Sequence, residues 1–326
     1  MRCLCLLMLL CPLLNADEND RNFTALNPDQ AGRDFAVQGE YSGTLKIDGN
    51  DVKIGVQIIA EGAGKFAWKA LPGGLPGDGW NTDAEVLQGN GAFQGDVAVM
   101  TGDSGRGEVR GKRLVLINAD QQEWGQLEKV MRKSPTLGKA APEGAVVLFD
   151  GSTADQFENG RLTEDGLLMQ GTTSKLKFAD GQLHLEFMLP FMPNARGQGR
   201  GNSGVYLQGR YEVQVLDSFG LSGEQNECGG IYSIAKPLQN MCFPSLSWQT
   251  YDVDFHAAKF GDDGKKTADG WMTVRHNGVV IHDQVKLTHA TTAAPVKEGA
   301  DPGPLYLQDH GNQVRYRNIW FVPAGE

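Results

Sequence analysis

The sequence has few basic residues and only one long apolar run. Lys and Arg number 30 against 40 Asp and Glu, which gives a formal net charge of −10. An acidic chain without a Lys/Arg cluster repels phosphate backbones, so we expect no nucleic-acid partner. Apart from the first residues, no stretch approaches the length needed to cross a bilayer, so we also expect no membrane span.

Residues 1–16, MRCLCLLMLLCPLLNA, have the layout of a secretory signal peptide. They carry one positive charge at Arg2, an apolar run over residues 4–14 and the small residue Ala16 before an acidic segment. Cys11 could indicate a lipoprotein, but Leu10 is bulky where that type of cleavage needs a small residue. We therefore expect a soluble protein that is secreted or periplasmic.

Cysteine is scarce beyond this leader, where only Cys228 and Cys242 occur. In an oxidising compartment the two could form a disulfide, and they could equally be two unpaired small core residues. Neither belongs to a CxxC pair, so the sequence gives no support for a zinc site. Asp262 and Asp263 do not match the spacing of a calcium-binding loop. We predict no cofactor, and calcium has no motif to support it.

Residues 133–144 differ in composition from both flanks and predict a linker between two domains. Before it, within residues 17–132, segments such as GEYSGTLKID and KRLVLINA alternate apolar and polar residues, which is typical of antiparallel strands. Residues 121–133 are the one stretch that could be a helix, although Gly125 weakens it. This smaller β-domain could bind carbohydrate or a partner, or could be purely structural.

Residues 145–326 again consist of short alternating segments without helical periodicity, so we predict an all-β protein whose second domain is a sandwich or jelly roll. Asn277-Gly278 lies between two β-rich runs and fits a two-residue type I′ hairpin.

Several of these strands carry many polar residues on one face. In RYEVQVLD, Glu212 and Gln214 face one way and Val213 and Val215 the other, because successive strand residues alternate. These polar groups are mostly Glu, Gln, His, Asp, Arg and Asn, which hold hydrogen bonds in fixed geometry, with little lysine. We interpret the polar side of these strands as one concave surface that binds hydroxyl groups.

The same alternation in VRYRNIWF puts Arg315 and Arg317 on the polar side. It puts Val314, Tyr316 and Trp320 on the apolar side, together with Asn318.

The motifs GNSG, YEVQVLD and LQDHG followed by VRYRNIW occur in this order. On these motifs, residues 143–324 resemble the DUF1080 family, the 3-keto-disaccharide hydrolase domain. The resemblance implies a concanavalin A-like jelly roll and cleavage of glycosidic bonds in sugars oxidised to a ketone at C3. One departure is Gln156-Phe157, where the family usually has Gly-Trp, and it concerns packing near the start of the domain.

The chemistry that this resemblance implies assigns a role to several polar residues. A 3-keto group acidifies the hydrogen on C2, so a base can remove it while the glycosidic oxygen leaves C1; water addition then completes a net hydrolysis. We predict His310 as the base and Arg317 or Arg315 as the group that stabilises enolate charge. Glu212 or Asp217 would orient the histidine or protonate the leaving oxygen. Hydroxyl contacts are assigned to Asn202, Gln214, Tyr232, Gln308 and Arg315.

Two alternatives stay open. Glu212 and Asp217 could be a glycosidase pair for unoxidised sugars, although residues five apart in a strand face opposite ways unless a bulge intervenes. The domain could also be a non-catalytic, lectin-like carbohydrate-binding protein, since the same architecture serves both functions.

Overall fold

The computed structural model describes residue 20, residues 22–103 and residues 105–325. The predicted signal peptide lies outside these residues. No helix in the described part of the chain is both long and apolar enough to cross a membrane.

The first part of the chain forms a closed antiparallel barrel in which each strand pairs with the next and the last pairs with the first. A short 3₁₀ turn, Pro28–Gln30, and helix α1, Gly32–Val37, precede the barrel. Its strands are β1 (Gly39–Ile47), β2 (Asn50–Gly62), β3 (Lys65–Pro72), β4 (Leu87–Gln94), β5 (Val97–Gly102), β6 (Gly105–Arg110), β7 (Arg113–Asn118) and β8 (Glu123–Val130).

Strand β8 occupies most of residues 121–133, the one stretch that could have been a helix from its sequence. It pairs along β7 and closes the barrel by placing Val130 opposite Glu40 and Glu128 opposite Ser42 of β1. Gly125 faces Leu45, whose side chain would lie 2.6 Å from a Cβ at this position. These long-range pairings outweigh a weak local helical preference.

The second part of the chain is a jelly-roll sandwich, as predicted from the sequence. Its strands are β9 (Val146–Phe149), β10 (Phe157–Glu158), β11 (Leu168–Met169), β12 (Thr172–Phe178), β13 (Gly181–Met188), β14 (Ser203–Leu207), β15 (Tyr211–Val215), β16 (Trp248–His256), β17 (Lys259–Phe260), β18 (Lys266–Ala268), β19 (Gly270–His276), β20 (Val279–Leu287), β21 (Gly303–Leu307) and β22 (Arg315–Pro323). A 3₁₀ turn, Gly197–Gly199, precedes β14.

One sheet has five strands in the order β10-β12-β21-β14-β15, and the other has seven, in the order β11-β22-β13-β16-β19-β20 with β9 also paired to β22. A small β17-β18 ribbon lies apart from both. The apolar core between the sheets includes Val213, Val215 and Phe255, as alternation predicts. The hairpin turn at Asn277-Gly278 is confirmed: both residues have positive φ, 51° and 81°, as a type I′ turn requires.

A β-bulge in β22 corrects the predicted faces of its second half. His184 of β13 pairs with Trp320 and Glu186 with Arg317, so β22 contains one extra residue at this point. Asn318 has a φ of +46° there. The extra residue reverses the alternation, so Asn318 and Trp320 lie on the outer face with Arg317, and Ile319 enters the core.

The barrel and the sandwich are joined by buried polar and apolar contacts. Arg132 binds the Glu40 carboxylate through two nitrogens, each at 2.6 Å, and its guanidinium lies 4.8 Å from the Phe243 ring. Phe191 of the sandwich packs into the apolar cluster of the barrel. Contacts of this kind hold the barrel against the sandwich, while each domain keeps its own apolar cluster.

Candidate active site

The structure divides the predicted polar surface between the outer faces of two sheets. Glu212 and Gln214 lie on β15, and Gln308 follows β21, in the five-stranded sheet. Arg315 and Arg317 lie on β22, in the seven-stranded sheet. The core separates these faces, so the predicted residues do not form a single site.

Glu212 is the centre of the polar cluster on the five-stranded sheet. Its neighbours Val213 and Tyr211 pack in the core, which turns the Glu212 side chain to the other face, where it is 2% exposed. Gly204 on β14 makes room for it, because a Cβ at Gly204 would lie 2.1 Å from Glu212 Oε1. A steric requirement therefore explains why Gly204, the second glycine of GNSG, is a glycine: only this residue lets the Glu212 carboxyl pack against β14.

Burial raises the pKa of Glu212 to about 8, although the hydrogen bond with Tyr206 opposes the rise. The Tyr206 hydroxyl lies 2.8 Å from Glu212 Oε2 and 3.2 Å from the Thr292 carbonyl oxygen, and it accepts a bond of 3.2 Å from Gln308 Nε2. The single proton of the Tyr206 hydroxyl cannot make a good hydrogen bond to Glu212 Oε2 and to the Thr292 carbonyl oxygen at the same time. Protonated Glu212 can instead donate to Tyr206, which then donates to Thr292.

A row of amides lies beside this carboxyl. Gln214 Nε2 donates to Gln198 Oε1 at 3.1 Å, and Asn202 Nδ2 donates to the same oxygen at 3.1 Å. The Asn202 backbone N–H binds Asn312 Oδ1 at 2.8 Å, which ties this row to the turn after β21. Asn202 Oδ1 is buried and has no hydrogen-bond partner among the described residues. It is therefore an acceptor available to a hydroxyl group.

Tyr232, Tyr306 and Gln308 border the cluster and are each half-buried. The Tyr306 ring lies 5.5 Å from that of Tyr206. The Tyr232 backbone N–H donates to the Glu212 carbonyl oxygen at 3.2 Å, which fixes the loop carrying this tyrosine beside β15. These side chains give the buried carboxyl an amphipathic, partly open edge suited to a sugar.

His310 lies in the exposed turn after β21, two residues beyond Gln308. Asp309 Oδ1 accepts the Gly311 N–H at 2.9 Å, and Gly311 has a φ of +83°, so the turn has a fixed shape. Within the described part of the chain, the His310 imidazole has no hydrogen-bond partner. The structure thus leaves this side chain free for another group, on the same edge of the sheet as Gln308.

Asp217, Arg317 and Arg315 have partners away from this cluster. Asp217 is buried and accepts a bond of 2.8 Å from Arg200 Nε, and Arg200 in turn donates to the Ala60 carbonyl oxygen of the barrel. Their ion pair belongs to the contact between the domains. It does not orient His310, nor does it pair with Glu212 as a second carboxylate.

On the seven-stranded sheet, Arg317 donates to Glu186 Oε2 at 2.7 Å and stacks 3.9 Å from the Trp248 ring. Arg315 is buried and donates to Gln170 Oε1 at 3.1 Å, and its burial lowers its pKa. Both arginines are therefore bound to groups other than those of the Glu212 cluster.

A second polar cluster on this sheet holds the linker. His184 Nδ1 lies 2.8 Å from Asp252 Oδ1, Thr136 Oγ1 donates to Asp252 Oδ2 at 2.7 Å, and the Gly138 N–H donates to Glu186. The Lys139 carbonyl oxygen accepts bonds from Asn318 and Trp320. The polar residues of these strands therefore bind the chain's own linker.

Cys228 and Cys242 are both buried free thiols in the structure, which corresponds to the unpaired alternative. Burial raises the pKa of Cys242, and the Cys228 Sγ lies 3.2 Å from the Tyr251 hydroxyl. In the described part of the chain, no three His, Cys, Asp or Glu side chains are grouped so that they could hold a metal ion.

The sequence reasoning missed Tyr206, Gln198 and the steric role of Gly204. Tyr206 could have been found by alternation, because it lies two residues after Gly204 in GNSGVYLQ and must share its face. Gln198 could not, because it reaches the cluster from an irregular loop whose path depends on tertiary contacts.

Comparison with known proteins supports the resemblance. The 3-keto-alpha-glucoside-1,2-lyase-like domain matches residues 144–322. The crystal structure of a proposed glycosyl hydrolase from Parabacteroides distasonis is 34% identical, covers 56% of this chain and 85% of that chain, and gives a TM-score of 0.50. A second from the same organism is 18% identical, covers 56% and 95%, and gives a TM-score of 0.40. No curated protein matches the chain.

The match with the family spans more than half of the chain and includes Glu212, Tyr206, Gln308 and His310. The chain therefore belongs to the 3-keto-alpha-glucoside-1,2-lyase-like domain family and is, at this level, a carbohydrate-active protein.

Proposed function

We propose that this protein is an exported enzyme that cleaves glycosidic bonds of 3-keto-glycosides, with Glu212 as general acid and His310 as base. The single observation that carries the proposal is the buried Glu212 carboxyl, whose raised pKa of about 8 keeps it protonated at neutral pH. A carboxyl protonated under working conditions can donate its proton to a leaving oxygen.

In the proposed reaction, His310 acts at C2 and Glu212 acts at the glycosidic oxygen on C1. His310 takes the proton from C2, and the C2–H electrons form the double bond between C1 and C2. The glycosidic oxygen leaves C1 with its bonding pair and takes the Glu212 proton. Addition of water, with hydroxyl to C1 and a proton to C2, then gives the free 3-keto sugar, and solvent exchange restores both groups.

Tyr206 acts in this scheme as a positioning residue. It accepts from protonated Glu212, and after the proton has left it can donate to the resulting carboxylate instead of to Thr292. This change of partner stabilises the ionised form only once it exists, so it favours the transfer. The unpartnered Asn202 Oδ1 and the half-buried Tyr232 supply contacts to sugar hydroxyls.

The test incubates the purified protein with a 3-keto-glucoside and its unoxidised parent in D₂O and follows the aglycone and C2 by NMR. We expect release only from the keto substrate, with deuterium entering at C2. Release without label would replace elimination by direct hydrolysis, and binding without release of either aglycone would favour the lectin-like alternative.

The residue assignment is tested with Glu212→Gln and His310→Ala. We expect each to lower kcat by about 10²-fold or more, the usual effect of removing a general acid or base. His256→Ala is the matched control, because His256 lies on the other sheet, stacked 3.9 Å from Trp271. Turnover that survives His310→Ala would remove the proposed base while leaving Glu212 to be judged separately.

A further inference from the structure

The barrel has a hollow end that the proposed reaction does not use. Its other end is closed: helix α1 lies across it, with the Gly64 N–H bound to Asp34 Oδ2 at 3.0 Å and Arg33 stacked 4.0 Å from the Phe93 ring. Phe66 and Phe191 fill the interior beneath that helix. The barrel is therefore a cup with a packed floor.

The open half of the cup encloses a cavity of about 200 Å³. Its walls are inward-facing apolar side chains from most of the strands, among them Leu45, Val56, Trp68, Met100, Leu114 and Leu127. Eight strands make a barrel whose interior is either filled by its own side chains or large enough for one small ligand. Gly102, Gly105 and Gly107 line the wall here and have no side chain to fill the interior, so this barrel has room for one small ligand.

Three large apolar side chains form the rim of this cavity while exposed to solvent: Ile47 at 39%, Leu87 at 57% and Trp124 at 47%. They come from three different strand ends that meet at the same mouth. A contiguous exposed apolar surface of this kind is uncommon on a soluble domain and marks an interaction site.

The lining offers almost nothing to a polar ligand. Among the described residues, Arg106 is the one charged side chain of the lining, and it is already bound to Glu108 at 2.8 Å and to Gln121. Trp68 Nε1 donates to the Thr101 carbonyl oxygen at 3.1 Å, so the indole presents no free donor. A polar molecule would lose its hydration here without replacement.

We propose that this cup binds one small apolar molecule of about the size of an aromatic ring. An apolar cavity of about 150 Å³ inside a protein stays dry and takes up benzene, so a cavity of this size and lining has room for a single substituted ring. The site lies in β1–β8, outside the residues that match the family, and it does not depend on the proposed reaction.

The test titrates the full chain with fluorobenzene and follows its fluorine NMR signal, with the intrinsic tryptophan fluorescence as a second readout. Ala70→Leu adds bulk to the inner wall, and Ala92→Leu makes the same change on the exposed outer face of the barrel. We expect saturable binding to the wild type, a loss of affinity of about tenfold or more in Ala70→Leu, and a change below about twofold in Ala92→Leu.

Thermal unfolding of both variants establishes that the barrel is folded. Absence of saturable binding to the wild type, or equal affinity in the two variants, would overturn the proposal. So would a dimer in sedimentation that dissociates in Leu87→Ser, because the rim would then be covered by a second copy of the chain.

Discussion

Replacing Glu212 with Gln should stabilise the protein at alkaline pH. The pKa of this carboxyl is about 8 in the folded chain against 4.5 for the ordinary group. The folded state therefore binds a proton that the unfolded state has released between these two values, and the contribution of Glu212 to stability falls as pH rises through this window. At 1.36 kcal/mol per pKa unit, the full loss above pH 8 is about 5 kcal/mol as an upper estimate.

Gln cannot ionise and has nearly the same shape, so Glu212→Gln removes this dependence. The assay is urea unfolding of wild type and variant from pH 4 to 9. The free energy of unfolding of the variant relative to wild type should rise with pH and level off near pH 9. Glu158→Gln, an exposed position on the same sheet, should give a flat difference. Parallel curves for Glu212→Gln and wild type would refute the burial argument.

Three further outcomes follow from single contacts. Tyr206→Phe should raise the pKa of Glu212 further, because the hydrogen bond that opposes the rise is lost, and an infrared titration of the carboxyl measures it. Glu186→Gln should lose stability that wild type has above pH 4.5, since hydrogen bonds from His184 and its neighbours hold the pKa of Glu186 at about 2; acid unfolding followed by circular dichroism tests this. Arg200→Met should cost about 3–5 kcal/mol in urea unfolding by leaving Asp217 buried without its partner.

The sequence predicted the class of fold and most local faces because these depend on short-range alternation. Glu212 and Gln214 are on the face opposite Val213 and Val215, as expected. The sequence could not predict that β15 and β22 belong to different sheets. Sheet membership depends on which strands pair over long distances, and a polar face looks alike in either sheet.

The errors in detail have similar causes. Alternation failed at Asn318 because one inserted residue reverses the phase of everything after it, and a bulge has no reliable local signal. The sequence of residues 121–133 left a helix possible because closure of the barrel, which pairs Glu40 with Val130, depends on strands that are far apart in the chain.

The two polar faces differ in where their hydrogen bonds go. On the seven-stranded sheet, the Glu186 and Asp252 carboxylates accept hydrogen bonds from Gly138 and Thr136 of the linker, so these two carboxylates already have partners. On the five-stranded sheet, Asn202 Oδ1 and the His310 imidazole have no hydrogen-bond partner among the described residues, and burial raises the pKa of Glu212 to about 8. Polar composition alone therefore does not identify a site. A buried acceptor without a partner beside a partly open edge, as Asn202 Oδ1 is, supports one, because its burial costs free energy that a bound sugar can recover.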